Sequence, residues 1–386
     1  MAVAKKWGIS MCTVTAFLLG LVLCCAAQGQ HKSSQSWMLG PFKRPPHSHP
    51  VIVPNPKAVF WGPIRQQPVH WEALHTFNPA AIVRDGKINV LYRAEDNTGT
   101  MEIGGHTSRL GLAVSADGIH FSTSSAPVFF PDHDAQMQRE WPGGTEDPRI
   151  VESSDGMYVL TYTQWNGKIW RVGIATSRDL IHWTKYGPAF GDGPGSKYAT
   201  LRYKSAGILT RLAGDRLVAA KVHGKYWMYW GEGEIRLATS VDLVHWVPVE
   251  DAHGNMPVLL ARRPGHFDSA FPEVGPPPLL TKNGILLIYN GKNADKDGDP
   301  SIAAGAYSDG QALFSAEDPS QLMARTDQPF FQPKMPFEQS GQYAAGTTFA
   351  EGLVFYKQQW FLYYGCADSR VGVAIASDDN SIFAAE

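Results

Sequence analysis

Cysteine is scarce in this chain of 386 residues. Only four are present, and three of them, Cys12, Cys24 and Cys25, lie within the first 27 residues. Once that segment is removed, Cys366 remains alone and an internal disulfide is excluded. A small scaffold held together by disulfides is therefore not expected.

Long apolar runs are missing after the N-terminus. Residues 1–27 combine a basic start, an apolar run over residues 11–25 and small residues at 25–27, the layout of a signal peptide. Lipid anchoring at Cys24 or Cys25 is disfavoured because Leu23 and Cys24 stand where a small residue is wanted. No other segment is apolar enough to span a membrane. We expect an exported protein, periplasmic or secreted, and export without disulfides is typical of a bacterial envelope.

The chain also lacks a basic patch. Its formal net charge is −2, and removing Lys5 and Lys6 with the leader makes it about −4, which argues against a nucleic-acid partner. No set of His, Cys, Asp or Glu has trustworthy metal-ligand spacing, so no metal and no cofactor are expected. His47 and His49 are interpreted as part of a solvated linker.

No long helical period is present; a strand-like phrase recurs instead. It reads Gly111-Leu-Ala-Val-Ser-Ala-Asp-Gly-Ile-His-Phe121, then Gly173-Ile-Ala-Thr-Ser-Arg-Asp-Leu-Ile-His-Trp183, then Arg236-Leu-Ala-Thr-Ser-Val-Asp-Leu-Val-His-Trp246. Its alanines are 62 and 63 residues apart, and weaker echoes occur at Ala306 and Ala374. Each unit predicts a strand, a Ser/Asp turn and a further strand.

Five such units predict an all-β fold, a five-bladed β-propeller over residues 70–386. A pair of β-sandwiches is the less favoured alternative. The Pro-rich and His-rich segment 28–69 predicts an extended arm that leads into the first blade. In a propeller, polar residues from distant motifs meet at a central channel.

Three clusters of acidic residues carry the chemistry that the sequence suggests. They are Gly143-Gly-Thr-Glu-Asp-Pro-Arg-Ile150, Trp230-Gly-Glu-Gly-Glu-Ile235 and the apolar stretch around Glu273. Because neighbouring side chains alternate along a strand, only one of Glu146 and Asp147 is expected to face a cavity. A surface turn remains an alternative for the first cluster, and a solvated turn is favoured for Glu234.

Paired carboxylates with aromatic side chains nearby suit glycosidic bond cleavage, in which one acid protonates the leaving oxygen and one base activates water. A carboxylate separation of roughly 6.5–9.5 Å favours inversion, and about 5 Å favours a covalent intermediate.

Four motifs in order resemble glycoside hydrolase family 130. They are Gly-Thr-Glu-Asp-Pro-Arg-Ile, the early Asn78-Pro-Ala with Tyr92-Arg93, Gly275-Pro-Pro-Pro followed by Ile288-Tyr-Asn-Gly291, and Tyr363-Tyr-Gly-Cys-Ala-Asp368. The resemblance covers about residues 78–376 and implies a five-bladed propeller acting on β-mannosides.

The resemblance also implies roles for individual residues. Asp147 would be the general acid, delivering its proton through a sugar hydroxyl. Asn78, Arg93 and Asp368 match positions that hold mannose. Glu146 is placed with these substrate-binding residues, and Arg149 would orient Asp147 or line the site.

The family contains phosphorylases and hydrolases. Phosphorylases typically have Tyr-His-Gly where this chain has Tyr289-Asn290-Gly291. Glu232 and Glu273 resemble the pair of the exported β-1,2-mannosidase branch, and carboxylates there would repel phosphate and serve as a base for water. Lys204 and Lys221 argue the other way, because a lysine of this region binds phosphate in the phosphorylases.

The sequence therefore favours an exported glycosidase that hydrolyses β-mannosidic, β-1,2-linked oligosaccharides with inversion. Asp147 would be the acid, and Glu232 and Glu273 would position and deprotonate water, with the choice of base open. A phosphorylase that uses inorganic phosphate is the first alternative, and a non-catalytic sugar-binding propeller is the second.

Overall fold

The structure is a computed structural model that describes residues 37–100 and 102–377. The expected signal peptide lies outside the described residues, as does the start of the arm. Among the described residues almost all regular structure is strand; the exceptions are one short helix, α1 (Met137–Glu140), and one 3-10 turn, η1 (Pro336–Glu338). The expectation of an all-β fold is confirmed.

The described strands pair into four sheets of 2, 15, 5 and 3 strands. Along the chain they follow one another as a short hairpin and five groups of antiparallel strands, several of which are joined by single parallel pairings. The hairpin and the first two groups are β1 (Phe60–Gly62) and β2 (Gln67–Val69); β3 (His75–Arg84), β4 (Lys87–Glu95), β5 (Ser108–Ser115) and β6 (Ser122–Thr123); and β7 (Gly144–Glu152), β8 (Tyr158–Trp165), β9 (Trp170–Ser177) and β10 (Thr184–Pro188). Within these first two groups, strands that are consecutive in the chain pair with one another.

The third group contains seven short strands, three more than each of the first two groups. Its members are β11 (Ala206–Ile208), β12 (Thr210–Ala213), β13 (Arg216–Ala219), β14 (Lys221–Val222), β15 (Lys225–Trp230), β16 (Arg236–Ser240) and β17 (Trp246–Pro248). The β12–β13 hairpin bridges to its neighbours through single parallel pairings with β7 and with β19 (Leu279–Thr281).

The last two groups complete the described chain. They are β18 (Phe271–Val274), β19, β20 (Gly284–Lys292), β21 (Tyr307–Phe314) and β22 (Leu322–Arg325), then β23 (Thr348–Tyr356), β24 (Gln359–Cys366) and β25 (Arg370–Ser377). The first strands β3, β7 and β23 contact one another, so they bring residues of three groups together. No closed sheet is formed by this pairing of described strands, and the five-bladed arrangement stays a prediction.

The three close copies of the recurring phrase form β5, β9 and β16 and the tight turn after each of these strands. In the second copy the Ser177 hydroxyl accepts a hydrogen bond from the backbone N–H of Leu180 (2.9 Å), and the Asp179 carboxylate accepts one from that of His182 (2.8 Å). The copies at Asp117 and Asp242 make the same bonds. These hydrogen bonds lower the pKa of all three aspartates, so the repeat serves the fold.

The prediction of a turn at the weaker copy of the phrase near Ala306 was wrong. Ala306 precedes β21, and Asp309 is fully buried within that strand instead of forming a turn. The matching turn comes later, where the Ser315 hydroxyl accepts hydrogen bonds from the backbone N–H groups of Glu317 and Asp318 (3.1 and 3.2 Å).

A second repeat, which the sequence did not reveal, ties loops to sheets. In four groups a tyrosine, which lies on β4, β8, β20 or β24, donates a hydrogen bond of 2.6–2.8 Å to a buried acid. The acid lies in the segment that precedes the group. The same tyrosine stands directly opposite a glycine of the third strand, where a Cβ would collide with its ring. The pairs of tyrosine and acid are Tyr92 with Glu72, Tyr162 with Glu140, Tyr289 with Asp268, and Tyr364 with Glu338.

The described part of the arm packs against the last sheet. Lys43 and Ile52 make isolated bridges to β25, and Leu39 and Phe42 are buried in a core shared with β23 and β24. Arg44 forms an ion pair of 2.6 Å with Glu338. In two other groups the acid that receives the tyrosine bond pairs instead with a cation of the fourth strand, Lys185 of β10 and Arg325 of β22. The arm thus supplies what a fourth strand supplies elsewhere.

Candidate active site

Irregular pairing in β3, β7 and β23 interrupts the regular alternation of side chains at three polar residues. The register shifts between Phe77 and Pro79 in β3, between Glu146 and Arg149 in β7, and between Ala350 and Gly352 in β23. The unpaired residues include Asn78, Asp147 and Glu351. Asn78 and Asp147 have left-handed φ values of 46° and 47°, which non-glycine residues seldom adopt. Bulges of this kind re-aim side chains beside active sites.

Arg93 is the centre of the first cluster. Its guanidinium lies 3.1 Å from Asp147 Oδ1, 3.0 Å from Glu146 Oε1 and 2.7 Å from Glu95 Oε1. Asn78 donates a further hydrogen bond of 2.8 Å to Asp147 Oδ1. All five residues are buried, so the sequence-predicted residues Asn78, Arg93, Glu146 and Asp147 meet at one place.

The alternation of side chains along a strand predicted that Glu146 and Asp147 point to opposite sides, and this prediction was wrong. Both carboxylates contact Arg93, because the bulge and the left-handed backbone at Asp147 break the alternation of the strand.

Burial and charge act differently on these two carboxyl groups. Burial raises the pKa of Asp147, but Arg93, Lys204 and Arg149 outweigh it and lower that pKa to about 2. For Glu146 burial prevails, assisted by the charge of Asp147, and its pKa rises to about 7. Asp147 is therefore ionised at neutral pH without substrate, and acid catalysis by this group requires that it gain a proton when substrate binds.

Arg149 is buried, and its contacts connect β7 with β18 and β23. It donates hydrogen bonds to the backbone carbonyls of Asp147 (3.0 Å), Gly275 (3.1 Å) and Val274 (2.6 Å), and it pairs with Glu351 at 2.8 Å. Arg149 thus orients the backbone of Asp147 and does not touch its carboxylate. Burial raises the pKa of Glu351 well above the ordinary value, against the effect of Arg149.

Glu232 and Glu273 form a second cluster, in which they face each other across an isolated bridge. Lys204 Nζ lies 3.2 Å from Glu232 and 3.6 Å from Glu273, and the Ser205 hydroxyl donates to Glu273. Burial raises the pKa of Glu273 to about 7, with Lys204 acting against the rise and Glu232 adding to it. Burial lowers the pKa of Lys204, but Glu273, Glu232 and Asp147 outweigh it and raise that pKa well above the ordinary value.

An open pocket of about 710 Å³ begins at this second cluster. Lys204 and Glu232 belong to its lining, and Trp170, Trp230 and Arg202 supply aromatic and cationic surface. The Arg202 guanidinium lies 5.2 Å from the ring centre of Trp170. Aromatic rings beside charged side chains provide stacking faces for a sugar.

Asp368 is the last of the residues implied by the resemblance. It lies after β24 with a left-handed φ of 50° and is partly buried. Burial raises its pKa to about 6, while the charge of Arg93 acts against that rise and the charge of Asp147 adds to it. These interactions assign Asp368 to the surroundings of the Arg93 cluster.

Three other positions singled out in the sequence lie differently. Lys221 is exposed on β14 over the ring of Tyr226, outside both clusters. Glu234 is exposed and pairs with Arg236, as expected for a solvated turn. Asn290 is fully buried, and its amide makes two hydrogen bonds with the backbone of Ala350 (3.2 and 2.7 Å).

Two buried acids at the site were missed. Glu351 interrupts the apolar run Thr348–Tyr356, and a charge inside such a run signals a paired or functional group. Glu95 stands two residues after Arg93, which places both on one face of β4. Both signals were present in the sequence.

Comparison with known proteins decides the family. A family model described as beta-1,4-mannooligosaccharide phosphorylase matches residues 50–382. The chain belongs to glycoside hydrolase family 130. The resemblance drawn from the four motifs is therefore confirmed.

Family 130 relatives carry two kinds of name. The 1,2-beta-oligomannan phosphorylase of Thermoanaerobacter sp. (strain X514) is 33% identical over 309 residues, 79% of this chain and 90% of the relative. A glycosyl hydrolase structure from Bacteroides ovatus is 48% identical with a TM-score of 0.87, covering 93% and 99% of the two chains. A further structure is 51% identical with a TM-score of 0.86, covering 89% and 98%; its description concerns family 130 glycoside hydrolases that target beta-1,2 mannosidic linkages in Candida mannan.

The curated relatives of this family 130 chain favour the alternative over the expected hydrolysis. Those that match over most of this chain are named phosphorylases of β-mannosides. Within the part of the chain that the structure describes, no helix is long and apolar enough to cross a membrane.

Proposed function

We propose that this family 130 chain hydrolyses β-1,2-linked mannosides, releasing mannose with inversion. The observation that carries the proposal is the presence of two separate carboxylate sites, Asp147 beside Arg93 and Glu273 beside Glu232. Inverting glycosidases need an acid and a base of this kind. A non-catalytic sugar-binding protein has no need for buried, charge-coupled carboxylates, which are costly to keep.

Asp147 is proposed as the general acid. Asn78 and Arg93 hold its carboxylate in place, and Arg149 holds its backbone. A mannose unit bound over Asn78, Arg93 and Asp368 displaces water from the cluster and thereby favours the protonated form of Asp147. The proton then reaches the leaving oxygen, directly or through a sugar hydroxyl.

Glu273 is proposed as the base, with Glu232 as a second acceptor for the attacking water. A pKa of about 7 makes Glu273 a stronger base than an ordinary glutamate, and it is half ionised near neutral pH. Lys204 keeps that pKa from rising further, and Ser205 orients the carboxylate.

The choice of water over phosphate is supported by two observations. Two carboxylates face each other where an anion would have to bind, and among the described residues Lys204 alone forms ion pairs with them. Asn290, which stands in place of the phosphorylase histidine, uses its side chain on the backbone of Ala350.

The substrate class comes from the relatives, several of which are named for β-1,2 linkages. In this proposal the pocket lined by Trp170 and Trp230 accepts the rest of the oligosaccharide next to the scissile bond.

We also propose that the five antiparallel groups are the blades of a propeller. Support comes from the repeated Ser/Asp turns, from the repeated bonds between tyrosines and acids, and from the contacts among β3, β7 and β23. The arm would close the ring, because it pairs with β25.

Phosphorolysis is the second candidate function. It is favoured by the names of the curated relatives and by the ammonium group of Lys204 in the second cluster. In that case phosphate would replace water as the attacking group, and β-1,2-mannobiose would give mannose 1-phosphate and one free mannose in place of two free mannoses.

The deciding experiment incubates the purified chain with β-1,2-mannobiose, with and without inorganic phosphate. Free mannose in phosphate-free buffer supports hydrolysis, and release of the non-reducing unit first as the α-anomer, followed by NMR, supports inversion. Mannose 1-phosphate that forms only with phosphate refutes it in favour of phosphorolysis. Asp147→Asn and Glu273→Gln should each lower turnover by roughly 10²–10⁴-fold, and Lys221→Met, a change outside both clusters, should leave it unchanged.

A further inference from the structure

His75, Glu95 and His106 come together at one end of the first sheet. His75 opens β3 and stands directly opposite Glu95, the last residue of β4. His106 lies two residues before Ser108 of β5, which is the other partner of Glu95. One nitrogen from each imidazole and one oxygen of Glu95 all lie within 4.8 Å of one another.

These three side chains do not satisfy one another. Glu95 and His106 are only 1% and 3% exposed, and His75 is partly buried. No direct hydrogen bond or ion pair joins the three among the contacts of the described residues. Each is instead bonded to other groups, Glu95 to Arg93 and both histidines through Nδ1, while their ligand atoms, within 4.8 Å of one another, are close enough to share one ion.

Neighbouring groups hold the two histidines in place, as second-sphere hydrogen bonds hold the ligands of a metal site. His75 Nδ1 lies 3.0 Å from the hydroxyl of Ser369, and His106 Nδ1 lies 3.3 Å from the carbonyl of Thr98. Both contacts are made by Nδ1, so Nε2 of each ring is the nitrogen that would bind an ion. A ligating histidine normally engages its other nitrogen in this way.

We propose that His75, Glu95 and His106 bind one divalent transition-metal ion of the zinc class. Two imidazoles and one carboxylate form a ligand set that suits zinc. Ligands around a tetrahedral zinc ion are about 3.4 Å apart, so the side chains would move together by at most about 1.4 Å.

The neighbouring charges permit a cation at this place. Arg93 lies 2.7 Å from Glu95 Oε1, and Gln342 donates to Oε2 at 3.0 Å. Arg93 also contacts Glu146 and Asp147, so its charge is shared among three carboxylates and is not spent on Glu95 alone.

The ion would tie the segment between β4 and β5 to both strands. It would thereby steady Glu95, which holds Arg93, and Arg93 in turn contacts Asp147. The site is a positioning device in this proposal and takes no part in bond cleavage.

The test titrates the tag-free full chain, freed of metal by a chelator, with zinc in a calorimeter and counts bound metal by elemental analysis. We expect one zinc ion per chain and a raised Tm with zinc. His106→Ala should weaken binding at least about 100-fold and remove the Tm shift. Co²⁺ should give the absorption bands of a tetrahedral site only when His75 and His106 are both present.

Matched controls separate this site from adventitious binding. His120→Ala, an exposed histidine elsewhere, and the double variant His47→Ala/His49→Ala in the arm should keep full stoichiometry. Circular dichroism confirms that each variant is folded. The proposal is refuted if the wild-type chain takes up no zinc at micromolar concentration, or if a folded His106→Ala variant takes up as much. Because the readout is binding, failure here leaves the proposed hydrolysis untouched.

Discussion

Replacing Lys204 with methionine tests how the second cluster tunes its base. Lys204 Nζ lies 3.6 Å from Glu273 Oε1, and its positive charge lowers the pKa of that glutamate. In the proposed mechanism Glu273 acts as a base only when ionised, so activity should be present above its pKa and be lost as pH falls through it. Without Lys204 that pKa rises, and the acid limb of the kcat/KM profile must move to higher pH.

The size of the shift follows from Coulomb's law. At the 3.6 Å separation of the two groups, an effective dielectric constant of about 20 gives about 4.6 kcal/mol, or roughly 3 pKa units, and a value of about 80 gives just under 1 unit. The Lys204 side chain is 24% exposed, so solvent screens part of the interaction. We therefore expect a shift of about 1–2 pH units. Because Glu273 is half ionised near pH 7 in the wild type, the rate at neutral pH should fall by about 5- to 50-fold.

The assay measures kcat/KM on β-1,2-mannobiose between pH 5 and pH 10 for the wild type, Lys204→Met and the control Lys221→Met. Recovery of the Lys204→Met variant at alkaline pH is the expected signature. An acid limb that stays in place while the rate falls at every pH would refute the reasoning. If the KM for phosphate then rose as well, Lys204 would be a phosphate ligand.

Three further variants test the first cluster. Asp147→Asn should lower kcat by roughly 10²–10⁴-fold while calorimetry finds disaccharide binding nearly unchanged; near-normal turnover would remove Asp147 from the mechanism. Arg149→Met leaves Glu351 buried without its partner and should lower the free energy of unfolding in urea by about 3–5 kcal/mol; a loss below about 1 kcal/mol would show that the pair is dispensable. Gly365→Ala places a Cβ 2.5 Å from Asn78 Oδ1 and should lower kcat/KM by about 10- to 100-fold.

A matched control accompanies the glycine variant. Gly193 has open space around an added Cβ and no left-handed φ, so Gly193→Ala should leave kcat/KM unchanged. Equal effects of Gly365→Ala and Gly193→Ala would mean that the position of Asn78 is not what limits the rate.

The parts of the fold that depend on local chemistry were predictable. The Ser/Asp turns at Asp117, Asp179 and Asp242 rest on hydrogen bonds within three residues, so similar sequences form similar turns. The echo at Ala306 misled because Ser308 and Asp309 resemble the turn in letters but lie inside β21. The bonds between tyrosines and acids escaped detection because each joins residues separated by about 20 positions or more and the acid alternates between Glu and Asp.

Part of the candidate site was likewise predictable from the sequence, and part was not. The motif resemblance named Asn78, Arg93 and Asp147, and the structure gathers them. Alternation along a strand, applied to Glu146 and Asp147, failed because a bulge cannot be read from residue types alone. Lys221 could not be separated from Lys204 because both are lysines of one region, and only one of them lies against Glu232 and Glu273.

By itself the sequence determined the family, the all-β class, the repeated turns and the identity of the acidic groups, because these depend on residue type, on short spacing and on motif order. The tertiary structure decided which charges meet. Bulges and left-handed residues in β3 and β7 turn Asn78 and Asp147 toward Arg93, and Lys204 is placed between two glutamates 41 residues apart. These distances and burials set the pKa values of Asp147 and Glu273, since both depend on neighbours that are remote in the chain.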